Sequence, residues 1–198
     1  MATFGVEGTG SYGAGLARFL SGRDHRVVEV IRPDRSTRRR LGKSDPIDAE
    51  AAARSVLAGT SKGSPKSGTR SVEMIRMLKV AKDSALKART QAINQMKALV
   101  MTAPEDIREA LGGLSVNHLT RRCVGFRPGD IGAPTAAAKF ALRSIARRHR
   151  QLSAEIKTLD TELAKLTEIA APALLRAFCV GPDTAAALLI AAGDNPER

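Results

Sequence analysis

A heptad repeat of apolar residues between about residues 135 and 170 constrains the fold of this chain more than any other feature. Its seam keeps alternating spacings of three and four residues for more than four repeats, which is typical of a coiled-coil helix. A second stretch, Ser71 to Thr102, carries a similar seam rich in alanine. The two patterns predict long helices that pair antiparallel with each other or with those of another subunit. The seam positions of the later helix are Ala138, Leu142, Ile145, His149, Leu152, Ile156, Leu159, Leu163 and Leu166.

The later seam contains one polar residue, His149, with arginines on both sides. No second metal ligand stands near it in the sequence, so we interpret it as a partly buried or register-setting residue rather than as a ligand. Between the two long helices, residues 104–134 are rich in glycine and proline. This segment is predicted to be a loop region with one short helix near Val116 to Cys123.

The first 58 residues have a different pattern, in which short apolar runs alternate with helical ones. This alternation indicates an α/β unit, although two strands are too few for a stable parallel sheet. Residues 59–70, GTSKGSPKSGTR, form a flexible basic linker by composition. The predicted elements are a strand at Thr3 to Glu7, a helix from about Tyr12 to Leu20 capped by Ser11 or Thr9, a strand at Arg26 to Ile31, and a helix from Pro46 or Ile47 to Leu57.

Charge limits the class of partner. The chain has 32 Lys and Arg residues against 20 Asp and Glu, which gives a net charge of +12. A polyanion is therefore the expected partner, with a merely solvated basic surface as the alternative. Neither a signal-peptide pattern nor a run of about 18 apolar residues is present, so we expect no membrane partner and a cytoplasmic, nucleoid-associated location. The two cysteines, Cys123 and Cys179, are predicted to be buried thiols.

The loop from Gly8 to Gly13, GTGSYG, matches the GxGxxG fingerprint of dinucleotide-binding proteins. It follows a predicted strand, opens a predicted helix and precedes Glu29, which stands near the offset of a ribose-binding acid. An NAD(P)-binding protein is therefore one alternative. The charged Glu7 before the first glycine counts against it, as does the basic, helical character of the following sequence.

Three acids form a candidate metal site: Glu7, Asp45 and Asp48. Asp45 and Asp48 lie about one helical turn apart, and Glu7 ends the first predicted strand. Hard cations such as Mg²⁺ bind carboxylate oxygens, and two such ions catalyse phosphodiester transfer in many enzymes. We therefore predict these three residues as catalytic and metal-binding. Capping and the helix dipole are the alternative explanation for acids in a first helical turn.

Basic residues precede these acids, and we predict that they hold a nucleic-acid backbone. A solvated charge run is the alternative. A second predicted contact lies in the segment VGPDTAA, where Gly181 and Thr184 mark a turn before a helix whose N-terminus can bind phosphate. A simple helix break is the alternative there. The basic residues are Arg35, Arg38, Arg39, Arg40 and Lys43.

Several segments together resemble transposases of the one-ten family of insertion sequences, which are DEDD enzymes with a RuvC-like N-terminal domain guided by a bridge RNA. These segments are VEGTGSYG, RPDRSTRRRLGKSDPIDAEAAA, the alanine-rich basic helix, and APALLRAFCVGPDTAAALLIAAGDNPER. The resemblance covers nearly the whole chain, and GKSDPIDA and GPDTAA are its most specific parts. It implies DNA transposition with Mg²⁺ as cofactor, DNA and a bridge-type guide RNA as partners, and dimers that assemble into tetramers.

The resemblance also implies a division of the chain. In the family tetrad, Glu7 matches the second acid, and Asp45 and Asp48 match the last two. The first Asp is expected before Met1 and a nucleophilic serine beyond Arg198, so we expect a truncated and catalytically incomplete transposase. A non-catalytic nucleic-acid-binding or dimerisation module is the other alternative. The implied parts are a partial RuvC-like (RNase H-like) α/β domain at 1–58, the linker at 59–70, a helical coiled-coil region at 71–171, and the start of a helix-hairpin-helix-like C-terminal transposase domain at 172–198.

Overall fold

The computed structural model describes residues 2–30, 45–66, 68 and 70–193, with Asp45 described by its backbone alone. Within this part the chain is mainly helical, with one two-stranded sheet. The described residues form two compact units, one drawn from residues 2–73 and 187–193 and the other spanning residues 74–186. The elements are β1 (Thr3–Glu7), α1 (Ala14–Ser21), β2 (Arg26–Val30), α2 (Asp45–Leu57), α3 (Ser71–Thr102), α4 (Glu105–Leu111), α5 (Val116–Val124), α6 (Pro134–Ala170), α7 (Pro172–Leu175) and α8 (Pro182–Ala192).

In the first unit, β1 and β2 pair in parallel, with Thr3 opposite Arg26 and Glu7 opposite Val30. Because side chains alternate along a strand, the sheet has two distinct faces. Val6 and Val27 lie on one face and pack with Ala17 and Leu20 of α1. The strand-helix-strand connection that the sequence predicts is therefore present, and α1 buries one side of the sheet.

The other face of the sheet contacts α2 through Gly5. A Cβ atom placed on Gly5 would lie 2.8 Å from Val56 Cγ2 and 3.2 Å from the Ala52 carbonyl oxygen. Only a residue without a side chain permits this separation between strand and helix. The absence of a side chain at Gly5 thus sets how closely α2 approaches β1.

The start of α1 differs from the prediction. The helix begins at Ala14 with Gly13 as its N-cap residue, and no side chain caps it. The prediction that Ser11 or Thr9 caps this helix is wrong, because both hydroxyls have other partners. Thr9 Oγ1 donates to Glu29 Oε1 at 2.6 Å, and Ser11 Oγ donates to the Gly8 carbonyl oxygen.

In the second unit, α3 and α6 pair antiparallel. Lys82 of α3 forms an ion pair with Asp160 of α6, and Arg148 Nη2 of α6 donates to Gln95 Oε1 of α3. The earlier α3 residue thus contacts the later α6 residue, and the later α3 residue contacts the earlier one, so the two helices run in opposite directions. Four α6 residues spaced seven apart are buried, which agrees with the predicted seam: Leu142, His149, Ile156 and Leu163.

The core of the second unit lies where α4 and α5 join the two long helices. Helix α4 was not predicted, because the glycines that follow it indicated a loop. The sequence features that indicate this helix are two acids in its first turn and two apolar residues, Ile107 and Leu111, four positions apart. Both apolar residues are buried in the structure. The core consists of Met96, Val100, Ala103, Ile107, Leu111, Leu119, Cys123, Leu142 and Ala146.

The two cysteines differ in their surroundings. Cys123 is fully buried as predicted, and burial raises the pKa of its thiol to about 11. The prediction that Cys179 is buried is wrong, since its side chain is exposed. Cys179 lies in a turn before α8 with a φ of 62°, a conformation that turns the backbone at this position. In the part of the chain that the structure describes, no helix is long and apolar enough to cross a membrane.

Candidate active site

Glu7 lies at the carboxyl end of β1, opposite Val30 at the carboxyl end of β2. In α/β sheets this edge is where ligands bind, because the loops that follow the strands converge there. The Glu7 side chain is half-buried and shares a face of the sheet with Gly5, two residues earlier. It is therefore on the face that α2 covers.

The position of Asp48 on α2 follows from helix periodicity. It precedes Ala52 by four residues and Val56 by eight, so the three side chains follow one another along one side of the helix. Ala52 and Val56 are the residues that approach Gly5. Helix periodicity therefore puts Asp48 on the side of α2 that contacts Gly5, and Glu7 shares the face of Gly5 on β1.

Asp45 opens α2, less than one turn before Asp48. Its side chain lies outside the described residues, and so does the predicted basic run Arg35, Arg38, Arg39, Arg40 and Lys43. Among the described side chains, no three His, Cys, Asp or Glu residues are grouped to hold a metal ion. Glu7 and Asp48 each already take part in a hydrogen-bonded or electrostatic interaction. Their carboxylate oxygens nevertheless suit a hard divalent cation in chemical type.

The glycine loop after Glu7 is a tight turn over the end of β1. A Cβ atom on Gly13 would lie 2.3 Å from the Glu7 carbonyl oxygen, and Gly8 has a φ of 65°. The Ser11 and Gly13 amides both donate to the Gly8 carbonyl oxygen. These contacts explain two of the glycines by local geometry and hold the backbone around Glu7 in place.

Glu29, the residue that would bind a ribose in the dinucleotide alternative, lies on the other face of the sheet. Its carboxylate accepts a hydrogen bond from the buried Thr9 hydroxyl, and its amide donates to the Gly63 carbonyl oxygen at 2.7 Å. A ribose would therefore have to compete with the Thr9 hydroxyl for this acid.

Gly181 and Thr184, the second predicted nucleic-acid contact, are both exposed around the first turn of α8. Between them, the Asp183 carboxylate accepts hydrogen bonds from Lys79 Nζ and Lys82 Nζ. Hydrogen bonding to Lys82 is the main cause that lowers the pKa of Asp183. The acid of this segment thus anchors α8 to α3, and the two predicted contact residues stay on the surface.

Sequence reasoning missed a cationic surface on α6. Between residues 131 and 154 the chain has five Lys or Arg residues and no Asp or Glu. A groove of about 390 Å³ runs along this part of the helix, and Arg143, Arg147 and Arg148 line it. The lack of acids over this length was the available signal, but the heptad pattern drew attention to the opposite side of the helix.

The comparison with family models gives one match, to a family described as transposase, the DEDD transposases of the IS110 type, over residues 1–103. The match covers the sheet, α1, α2 and α3, and therefore includes Glu7, Asp45 and Asp48. No curated protein and no solved structure matches the chain.

Proposed function

Because the chain belongs to the IS110 family of DEDD transposases, we propose that it acts in DNA transposition, through a divalent-metal site to which Glu7, Asp45 and Asp48 contribute. One observation supports this proposal: Ala52 and Val56 of α2 lie against Gly5 of β1. Helix periodicity puts Asp48 on the same side of α2, and strand alternation puts Glu7 on the same face as Gly5. Members of such DEDD families generally use a divalent metal.

The chain's own groups have separate tasks in this proposal. Glu7, held by the turn at Gly13, and the two acids of α2 supply hard oxygen ligands. A bound divalent ion would stabilise charge on the oxygens that attack and leave the phosphorus of a phosphodiester. The basic run at 35–43 would hold the phosphate backbone next to these acids.

Metal titration tests the site directly. Isothermal calorimetry with Mg²⁺ or Mn²⁺ should show binding that Glu7→Gln, Asp45→Asn and Asp48→Asn each weaken by about tenfold or more, because loss of a residue that only orients a metal ligand already costs about that much. Glu50→Gln is the matched control, because Glu50 is an exposed acid of α2 that pairs with Arg54. Equal binding by the four variants and the wild type would refute the metal site and leave the family assignment intact.

A second candidate function, a non-catalytic nucleic-acid-binding and dimerisation module, is favoured by an exposed apolar stripe on α3. Met74, Met77 and Val80 are each about half exposed, at spacings of three residues. We propose that this stripe, beside the α3–α6 helix pair, pairs two copies of the chain. Sedimentation velocity should show a dimer that Met77→Glu with Val80→Glu converts to monomer, whereas a monomeric wild type would contradict this pairing.

A further inference from the structure

A pocket of about 330 Å³ lies between α5 and α6, within the unit of residues 74–186. One of its lining residues, His149, also belongs to the buried seam of α6. Most of its lining side chains are polar or cationic, and each can donate a hydrogen bond. They include Asn117, Thr120, Arg121, His149, Arg150 and Ser153.

Two of the lining residues, Thr120 and His149, each carry a buried polar atom without a partner. Thr120 Oγ1 and His149 Nδ1 make no hydrogen bond, and both residues are about nine-tenths buried, with 9% of their surfaces exposed. Buried polar groups are almost always paired in native proteins, because an unpaired one loses its hydrogen bonds to water without replacement. Because neither atom is open to solvent, a ligand in the pocket would hydrogen-bond to them after a rotation of the two side chains.

A row of arginines on α6 extends from this pocket toward the N-terminus of the helix. Arg143, Arg147 and Arg150 are spaced by four and three residues, so they form one stripe on the helix surface. None of the three forms an ion pair with a carboxylate in the described part of the chain. The buried Arg143 Nε also lacks a hydrogen-bond partner. This stripe therefore offers unneutralised positive charge to an anionic chain.

The cationic character is confined to one half of the helix. Residues 155–170 contain four acids and two lysines, whereas residues 131–154 contain no acid. An ordinary solvated helix mixes the two signs along its exposed face. Phe140, which is 52% exposed, lines the groove beside Arg143 and Arg147 and offers an aromatic surface next to them.

We propose that the pocket between α5 and α6 holds one unstacked nucleotide of a single-stranded nucleic acid, whose neighbouring phosphates lie along Arg143, Arg147 and Arg150. Thr120, His149 and Asn117 would bind the edge of the base. Phe140 would stack on a neighbouring base, as aromatic side chains do in proteins that bind single strands. Paired bases of a duplex stay stacked and cannot enter such a pocket without being flipped out.

Burial and the nearby Arg89 lower the pKa of His149, so its ring is neutral at neutral pH and offers one donor and one acceptor nitrogen. This pair of groups suits the edge of a base better than a phosphate. The inference deepens the proposed function, on which it rests for the expectation that the chain handles nucleic acid. It does not depend on the metal site.

Fluorescence anisotropy with labelled strands of about 12 nucleotides, the size range of known single-strand sites, tests the arginine stripe. Titrations contain EDTA, so that binding is independent of the acidic site. Arg147→Gln with Arg150→Gln should weaken binding about tenfold and reduce the slope of log K against log salt by about 1.4, or 0.7 for each lost phosphate contact. Lys157→Gln with Lys165→Gln, which removes the same charge from the other half of α6, should have a smaller effect.

Thr120→Val tests the pocket itself. The substitution removes an unpaired buried hydroxyl, so the unfolding temperature should stay the same or rise. The affinity for the single strand should fall severalfold. A purely structural hydroxyl would give the opposite pattern, with lower stability and unchanged affinity. A duplex of the same length should bind the wild type more weakly than the single strand.

Three outcomes would overturn the proposal: wild-type affinity in the double arginine variant, equal losses in the arginine and lysine variants, or wild-type affinity in Thr120→Val. RNA and DNA strands are measured in parallel, and tighter binding of either one supports the proposal and identifies the sugar. Loss of metal binding in Glu7→Gln with single-strand affinity retained would separate this site from the proposed metal site.

Discussion

His149 is the residue at which packing and ionisation conflict most directly. Its ring occupies a seam position of α6, and burial followed by the charge of Arg89 lowers its pKa from the ordinary value of 6.5. In the unfolded chain the ring takes up a proton near that value, whereas the folded chain resists protonation. The unfolded state thus binds more protons below about pH 6.5, and the folded state loses stability as the pH falls through this range.

Urea unfolding at about pH 7.5 and pH 5.5 measures this effect, since the two values bracket the ordinary pKa of histidine. The wild type should unfold at lower urea at the acidic pH, and His149→Leu should show a smaller difference between the two. His118→Gln is the control, because His118 is exposed on α5. A wild type that is equally stable or more stable at the acidic pH would contradict the assigned role of the buried ring.

Sequence reasoning identified His149 as a partly buried or register-setting seam residue but not as part of a pocket. The heptad position follows from spacing alone, which is a property of one helix. The pocket depends on how α5 packs beside α6, and no local pattern in either helix encodes that contact. The same limit applies to Thr9, whose side chain pairs with Glu29 twenty residues away instead of capping α1.

At the scale of elements, Gly5 sets the distance between β1 and α2. Gly5→Ala would place a methyl group 2.8 Å from Val56 Cγ2, so α2 must shift outward. Overpacking of this kind costs about 1–3 kcal/mol of the free energy of unfolding. Gly10→Ala is the matched control, because nothing lies within 4 Å of a Cβ at that position. Denaturant unfolding of the two variants measures the difference.

Metal titration of the Gly5→Ala variant adds a functional measurement. If α2 moves away from β1, the face of Asp48 moves away from the face of Glu7, and the divalent ion should bind more weakly. Gly10→Ala should bind as the wild type does. A Gly5→Ala protein with reduced stability and unchanged metal affinity would show that this contact does not position the acids.

The Lys82 ion pairs connect three helices of the second unit. Its Nζ lies 2.5 Å from Asp160 of α6 and 2.6 Å from Asp183 of α8, and the residue is 92% buried. Burial lowers the pKa of this ammonium, but hydrogen bonds to the two acids outweigh that effect and the pKa is raised. If either half-exposed acid is removed, the other still pairs with the Lys82 ammonium.

The expected result is a non-additive pair of substitutions. Asp160→Asn or Asp183→Asn alone should cost at most about 1 kcal/mol, because the ammonium retains one charged partner. The double variant leaves a buried charge without a counter-ion and should cost about 3 kcal/mol. A double-mutant cycle by urea unfolding measures the coupling, and additive effects would show that Lys82 reaches solvent instead. The pKa of Asp183 is lowered from 3.8 in the folded chain. Its ion pair therefore contributes fully to the free energy of unfolding above that pH, and this contribution is lost as the pH falls below it.

The bounds of the elements were largely predictable, and their contacts were not. β1 and α3 have the predicted bounds, because apolar spacing and glycine or proline boundaries are local signals. Helix α4 was missed because seven residues carry too few repeats to outweigh the glycines beside them. The candidate acids came from residue type and order along the chain. The packing of α2 on Gly5, which relates them, depends on the tertiary fold.

For the whole molecule, net charge predicts how binding depends on salt. The excess of 12 basic residues includes the run at 35–43 and the stripe on α6, so a nucleic-acid backbone should contact several cations at once. Each neutralised phosphate releases a counter-ion, and several such contacts weaken binding by about 10³-fold or more between 50 and 200 mM salt. Anisotropy titrations over that range measure the slope for single strands and duplexes.

The dependence of affinity on salt also distinguishes binding by exposed charges from binding in the pocket. Both nucleic acids should lose affinity with salt, but the preference for the single strand should persist at the higher concentration, since hydrogen bonds in a buried pocket are screened less than exposed charges. Heparin serves as the control polyanion, because it has charge without bases, and it should compete less well at the higher salt. Binding that does not change with salt would contradict every role proposed for the basic residues, because an uncharged interface would then supply the affinity.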